Sequence, residues 1–331
     1  MLGLYFLGTS SGVPTKERNV TGIAVTLHES TSWVLVDCGE GTQHQVLESP
    51  LSLISLKAIL ITHVHGDHCY GLPGLIASMG MAGRTEPLTV VGPEEIECMY
   101  LSVKDCSQLF VPFEVTFVRT ESMGTYVIGD TEITATALSH RVPSHAFCFV
   151  SSSRKNSLLS EKLVQAGIVP GPVWGQLQQG NDVELANGEM LKACDFVEVI
   201  LTQKSIVVAG DNDDPSLLAD IVVEADVLVH ESTYTDEILQ KVGPEPQHSS
   251  AGNVAAFAQE SGIPNLVLTH FSARFQRKAG SRNSIDEIEA EARNAFSGTL
   301  FLANDHDEFV FCKSGKLIKK ANREFEETAD V

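Results

Sequence analysis

No apolar run in the chain approaches the roughly 18 residues that a membrane-crossing helix needs, which excludes a helical membrane protein. No Cys-x-x-Cys pair occurs either. The seven cysteines (Cys38, Cys69, Cys98, Cys106, Cys148, Cys194 and Cys312) are scattered and odd in number. That is the pattern of reduced thiols in a cytoplasmic protein, not of a disulfide frame or a thiolate zinc site. Only Cys69, beside His68, stands near other metal-binding side chains. The opening residues lack a basic stretch and run straight into patterned sequence, so they read as a first strand, not a leader. Cations are scarce: 23 Lys and Arg against 43 Asp and Glu leave a formal charge of −20. A chain so anionic does not coat itself with nucleic acid by charge alone, although a local basic patch or bound zinc would change the field at one place.

The 331 residues are 43% hydrophobic, enough for one large core or two modest ones. Short branched and aromatic runs at residues 4–7, 22–27, 33–36 and 58–62 are separated by Gly, Pro, Ser and Thr and read as a β-meander. Residues 72–81 look helical. Further strands are expected at 88–91, 114–118, 131–137, 146–150, 205–209, 227–229 and 265–269, and helices at 215–224, 249–259 and 284–295. Strands followed by helices, twice over, imply an α/β fold: an αββα sandwich of two facing mixed sheets flanked by helices. Residues 151–195 interrupt it. They hold a short helical piece at 160–166 and then Ile168-Val169-Pro170-Gly171-Pro172, which cannot be a helix interior or a central strand. The expected organisation is one domain from 1–150 and 196–312, an inserted arm at 151–195, and a polar tail at 313–331.

The chemistry concentrates in His63-Val64-His65-Gly66-Asp67-His68, which follows the apolar run 58–62. Three imidazoles and a carboxylate in six residues are costly to bury unpaired, and they are ligands that suit zinc. Gly66 is expected to let the backbone turn so that the side chains face two metal positions. Completing two sites takes further ligands at strand ends, and His140, Asp211 and His270 each follow an apolar strand. Asp211 as a helix cap, and the histidines as rim or core residues, are the competing readings. His145, Asp213 and Asp214 stand close enough in sequence to compete as ligands.

Around that hexapeptide lie Leu7-Gly8-Thr9-Ser10, Pro14-Thr15-Lys16-Glu17-Arg18-Asn19, Asp37-Cys38-Gly39-Glu40-Gly41-Thr42-Gln43, Gly71-Leu72-Pro73-Gly74-Leu75, His230-Glu231-Ser232-Thr233, His248-Ser249-Ser250 and Leu268-Thr269-His270-Phe271-Ser272. Together, in order over about residues 1–310, they resemble ribonuclease Z. This family comprises the tRNA 3′ endonucleases of the metallo-β-lactamase superfamily, and the chain is similar to the short bacterial-type form. The resemblance implies one zinc held by His63, His65 and His140, a second held by Asp67, His68 and His270, and Asp211 bridging them. Manganese or another divalent ion would suit the same ligands. It also implies Asp67 as the residue that orients or deprotonates water, and His248 as general acid oriented by Glu231. Where the family commonly has Gly-Asp-Thr, this chain has Gly210-Asp211-Asn212, losing a hydroxyl beside the bridge.

The activity so implied is removal of the 3′ trailer of precursor tRNA, leaving a 3′-hydroxyl, with exoribonuclease activity as a companion. The runner-up is a hydrolase of small phosphodiesters or other esters on the same fold, and a noncatalytic RNA-binding relative is a third reading. RNA contacts are expected from Lys16 and Arg18, from Arg274 with Arg277, Lys278 and Arg282, and from the arm's Pro170, Gly171 and Pro172. The arm's acidic residues outnumber its cations, so the salt dependence of binding should be shallow. A cytoplasmic homodimer is implied, in which the arm of one subunit serves the other's site, with no membrane or DNA partner.

Overall fold

The computed structural model describes residues 2–27, 31–275, 283–312 and 314–321. Two sheets carry the fold. In the first, eight strands run in the order Leu317–Lys319, Glu308–Phe311, Gly3–Gly8, Gly22–Thr26, Trp33–Val36, Leu56–Leu60, Leu88–Gly92, Val115–Arg119. In the second, seven run in the order Thr299–Leu302, Asn265–Thr269, Val227–Glu231, Val197–Ala209, Ser144–Leu158, Thr131–Leu138, Tyr126–Ile128.

The central strands of both sheets are apolar on both faces, and the period of two decides which side chain goes where. Leu4, Phe6, Val34, Val36, Ala58 and Leu60 of the first sheet meet Ile206, Val208, Val227, Val229 and Val267 of the second in one core. Their alternates, Tyr5, Leu7, Trp33, Leu35, Ile59 and Ile61, pack outward under the helices Leu72–Met81 and Glu94–Ser107. On the other side Val207, Ala209, Leu228, Leu266 and Leu268 pack under Ala251–Ser261 and Ile285–Ala295. The αββα sandwich therefore follows from central strands that have no polar face. Each fully buried aliphatic side chain of this kind contributes about 1.5–3 kcal/mol.

Strands 33–36, 56–60, 88–92 and 115–119 are mutually parallel, as are 197–209, 227–231, 265–269 and 299–302. The loops that leave the C-terminal ends of such strands converge, which is where open α/β sheets place their sites.

The chain divides into two compact units, 1–151 with 204–331, and 152–203. The smaller unit ends eight residues beyond the expected insertion, because the start of its return strand, residues 198–203, is exposed and joins the buried sheet only from Ser205. It has its own core of Leu163, Leu177, Val183, Leu191 and Ala193. Three short helices (Ser160–Gln165, Pro172–Gln178 and Ala193–Phe196) and a hairpin of Val183–Glu184 with Met190–Leu191 build it. Pro172 opens the second helix, where a missing N–H costs nothing, and Pro170 and Gly171 precede it, exposed.

Two expectations need correction. Residues 317–319 are not polar tail but an edge strand on Glu308–Phe311, because Leu317 is buried against the inter-sheet core. Residues 215–224 are not one helix: a 3-10 turn (Pro215–Leu218) capped by Asp214 leads into a four-residue helix. No helix among the described residues is long and apolar enough to cross a membrane.

Candidate metal centre

Seven ligand-type side chains meet at the converging strand ends. His63 Nε2 and His140 Nε2 each lie 3.1 Å from His65 Nδ1. Asp211 Oδ2 faces the same group, 3.5 Å from His63 and 3.7 Å from His140. Its other oxygen, Oδ1, faces a second group, 3.4 Å from His68 Nε2 and 3.3 Å from His270 Nε2. Asp67 Oδ2 closes that group, 3.5 Å from His68 and 3.4 Å from His270. A tetrahedral zinc with bonds of about 2.0–2.1 Å has ligand atoms about 3.3–3.4 Å apart, so both clusters have the right edge length. One carboxylate presenting an oxygen to each cluster is the arrangement of a bridging ligand. The donor set of imidazoles and carboxylates fits zinc, and also manganese or iron.

The electrostatics agree. Burial, together with the neighbouring imidazoles, pushes His63, His65 and His140 below the ordinary histidine range, so their ring nitrogens are lone-pair donors. Burial opposes ionisation of Asp67 and Asp211, yet His68 and His270 hold both carboxyls well below the usual range. Burial likewise pulls His68 down, but Asp211, Asp67 and Asp37 hold it well above. Among the described residues Asp37, Asp67, Asp211 and Glu231 form their ion pairs with histidine. Such a concentration of buried carboxylate calls for a cation.

The ligand rings are aimed from behind. His68 Nδ1 meets Asp37 Oδ2 at 2.8 Å, and Asp37 also accepts from the Thr62 amide at 2.8 Å and hydroxyl at 2.9 Å. His140 Nδ1 donates to the Gln247 carbonyl at 2.8 Å, and His270 Nδ1 lies 3.0 Å from Thr233 Oγ1. Asp37, Gln247 and His270 all have positive φ (61°, 53° and 58°), a strained conformation for non-glycine residues that clusters here at the site. Gly210 passes so near the segment after Leu56–Leu60 of the other sheet that a Cβ would lie 2.6 Å from Thr62 Cβ, and this closeness brings Asp211 up to His63. Gly66, by contrast, does not have positive φ as the turn argument requires; what a side chain there would meet is the Tyr70 ring, 2.2 Å from its Cβ.

Glu231, at the end of Val227–Glu231, accepts from His248 Nδ1 at 2.9 Å, from the Asn212 amide at 2.9 Å and from the Thr233 hydroxyl. Burial pulls the His248 imidazolium down, but the Glu231 carboxylate lifts it to about 9. His248 Nδ1 also comes within 3.8 Å of Asp211, so it could count as a ligand atom; its contact to Glu231 is the shorter and competes with that role. Ser250, two residues on, caps the helix Ala251–Ser261 and fixes the approach.

The sequence competitors lie elsewhere. His145 is buried with Nδ1 unpartnered, and burial lowers its pKa while its bond to the Thr62 backbone opposes this. Asp213 has a buried, unpartnered Oδ1, and Asp214 caps a turn. Cys69 hydrogen-bonds to the Val64 carbonyl at 3.4 Å, and burial pushes its thiol up to about 12. None of the four belongs to a ligand cluster among the described residues.

Of the expected RNA contacts, Lys16 is exposed. Arg18 is not: it is 6% exposed, donates to Thr9 Oγ1 at 2.6 Å, the Ala303 carbonyl at 2.8 Å and Asn304 Oδ1 at 3.0 Å, and stacks on Phe271. It anchors the loop that Lys16 occupies. The same loop reaches the metal centre, because the Gly12 amide donates to Asp67 Oδ2 at 2.7 Å. Pairing of Ser10–Ser11 with Phe271–Ser272 holds it beside His270. Arg274 is exposed and lies over the Tyr234 ring, which in turn edges His248 at 6.0 Å. Arg277, Lys278 and Arg282 lie outside the described residues.

A family profile described as Anti-Pycsar protein Apyc1 matches residues 2–99. A ribonuclease Z of Marinobacter nauticus is 46% identical over 95% of this chain and 98% of its own length. One from Pseudomonas putida is 46% identical over 96% and 98%. Among solved structures, human tRNase Z, short form, aligns with a TM-score of 0.63 over 93% of this chain and 98% of its own, at 22% identity, a likeness of fold. Near-full-length identity at that level, joined to the shared-carboxylate centre, places the chain in the ribonuclease Z family.

Proposed function

We propose that the chain is a metal-dependent endoribonuclease that removes the 3′ trailer of precursor tRNA, and that it works in the cytoplasm as a homodimer with two zinc ions per chain. The carrying observation is Asp211, one carboxylate set between two nitrogen clusters, with the His248–Glu231 pair against it. Such a centre in a chain 46% identical to ribonuclease Z supports phosphodiester hydrolysis of RNA.

Divalent cations held by the two clusters, with Asp211 shared between them, would supply Lewis-acid charge to the phosphodiester and lower the pKa of a water toward about 7. The chain's own groups do the rest. Asp67 Oδ2 is held by the Gly12 amide and faces the second cluster, so Oδ1 is assigned to orienting the attacking water and accepting its proton. As the P–O3′ bond breaks, His248 gives its proton to the departing ribose oxygen, leaving a 3′-hydroxyl, and Glu231 holds the imidazole in place. The exposed Lys16, on the loop whose Gly12 amide meets Asp67, and the exposed Arg274, over the Tyr234 ring, are assigned to phosphates, and the smaller unit's Pro170, Gly171 and Pro172 to the body of the tRNA. Arg18 serves by fixing the loop.

Comparing turnover of a precursor tRNA with that of a chromogenic diester tests this reading. Strong preference for the tRNA is expected. Turnover confined to the small diester would favour an esterase of the same fold.

A further inference from the structure

Asn212 stands where the family commonly has threonine, and it does more in this chain than a hydroxyl could. Its side chain is fully buried. Oδ1 accepts the amides of Ser139 and Asp214, each at 3.2 Å. Two N–H groups aimed at one atom fix it as the oxygen, so the other atom is the NH2. That NH2 lies 3.1 Å from His230 Nε2. His230 Nδ1 donates to the Glu231 carbonyl at 2.8 Å, and Nε2 is therefore the acceptor. Donor and acceptor match on every side. The main chain of Asn212 is equally committed: its N–H holds Glu231 Oε1 at 2.9 Å, and its carbonyl takes the Ser249 hydroxyl at 2.7 Å. One residue thus joins the segment before His140, the segment after Asp211, the strand end bearing Glu231 and the residue after His248.

We propose that Asn212 is the positioning residue for the His248–Glu231 pair: its amide locks the peptide whose N–H and carbonyl hold Glu231 and Ser249. A threonine hydroxyl has one donor on a shorter side chain and cannot span Ser139 and His230 together. The inference rests on His248 being the general acid of the proposed reaction.

Leaving-group chemistry separates this role from a structural one. A nitrophenolate leaves without a proton, whereas a ribose 3′-oxygen needs one. Asn212→Ala and Asn212→Asp would be assayed on precursor tRNA and on a bis-nitrophenyl phosphate, with His248→Ala as reference and metal counted in every protein. The aspartate variant keeps the volume and the acceptor but loses the donor, so it carries the test if the alanine variant does not fold. The expected result is a kcat on tRNA lower by about 10- to 100-fold, KM and metal content unchanged, and nitrophenyl turnover spared, because a misaligned acid forfeits part of a contribution of about 10²–10⁴. Equal losses on both substrates, or loss of metal, would overturn the proposal. If His248→Ala itself fails to discriminate the two leaving groups, the general-acid reading falls, and the positioning role with it.

Discussion

His248 and Asp37 each sit one hydrogen bond from a neighbouring charged group, yet their removal should leave opposite signatures. His248 spends its Nδ1 on Glu231 at 2.9 Å, closer than its 3.8 Å approach to Asp211. His248→Ala should therefore slow tRNA cleavage by about 10²–10⁴-fold while elemental analysis still finds two metals per chain. Loss of metal in that variant would make His248 a ligand. Asp37 supports His68 and the Thr62 amide from behind. Asp37→Ala leaves that ring unaimed, and chelator competition should show metal affinity lower by about 10- to 100-fold.

Among the elements, the segment from Ser10 to Asn19 is the one whose two cations divide labour. Arg18 is bound inside, and Asp305 holds the same loop by accepting the Asn19 amide at 2.6 Å and the Thr9 hydroxyl at 2.7 Å. Arg18→Ala leaves buried acceptors unpaired and should lower stability by roughly 3 kcal/mol in denaturant titration. Lys16→Ala should leave stability unchanged and weaken tRNA binding, with a salt slope smaller by about one. Unchanged tRNA affinity for the lysine variant would remove it from the interface. The sequence does not separate these two residues, because burial of a guanidinium depends on Ala303 and Asn304, nearly 300 residues away. The same physics limits the rest. Strands such as Trp33–Val36 are legible because both faces are apolar, and the ligand histidines because they follow such strands. Asp37, Asn212, Tyr234 and the Gly12 amide act only through contacts distant in sequence, so their roles have no local signature. The helices Thr42–Leu47 and Glu94–Ser107 carry too few buried apolar positions to declare themselves; in the second these are Ile96 and Tyr100.

At the scale of the molecule, the proposed function assigns the chemistry to the larger unit and grip on the tRNA body to the smaller one. The larger unit holds all seven ligand-type side chains of the two clusters, and residues 152–203 form a separate core with an exposed Pro170-Gly171-Pro172 run. Deleting residues 155–190 should weaken precursor tRNA cleavage and spare a small diester; equal loss on both would mean the insertion supports the fold. With a net charge of −20, the chain has little general attraction for RNA, so selection is expected to rest on local contacts at the metal centre, at a few exposed cations and on the inserted unit. Incubating the purified protein with one unprocessed tRNA and mapping the products tests that most directly. Metal-dependent removal of the 3′ trailer requires a single cut at the 3′ side of the tRNA body, a 3′-hydroxyl on the tRNA fragment, and abolition by chelator with recovery on zinc. An intact precursor in the presence of two bound metals per chain would contradict it.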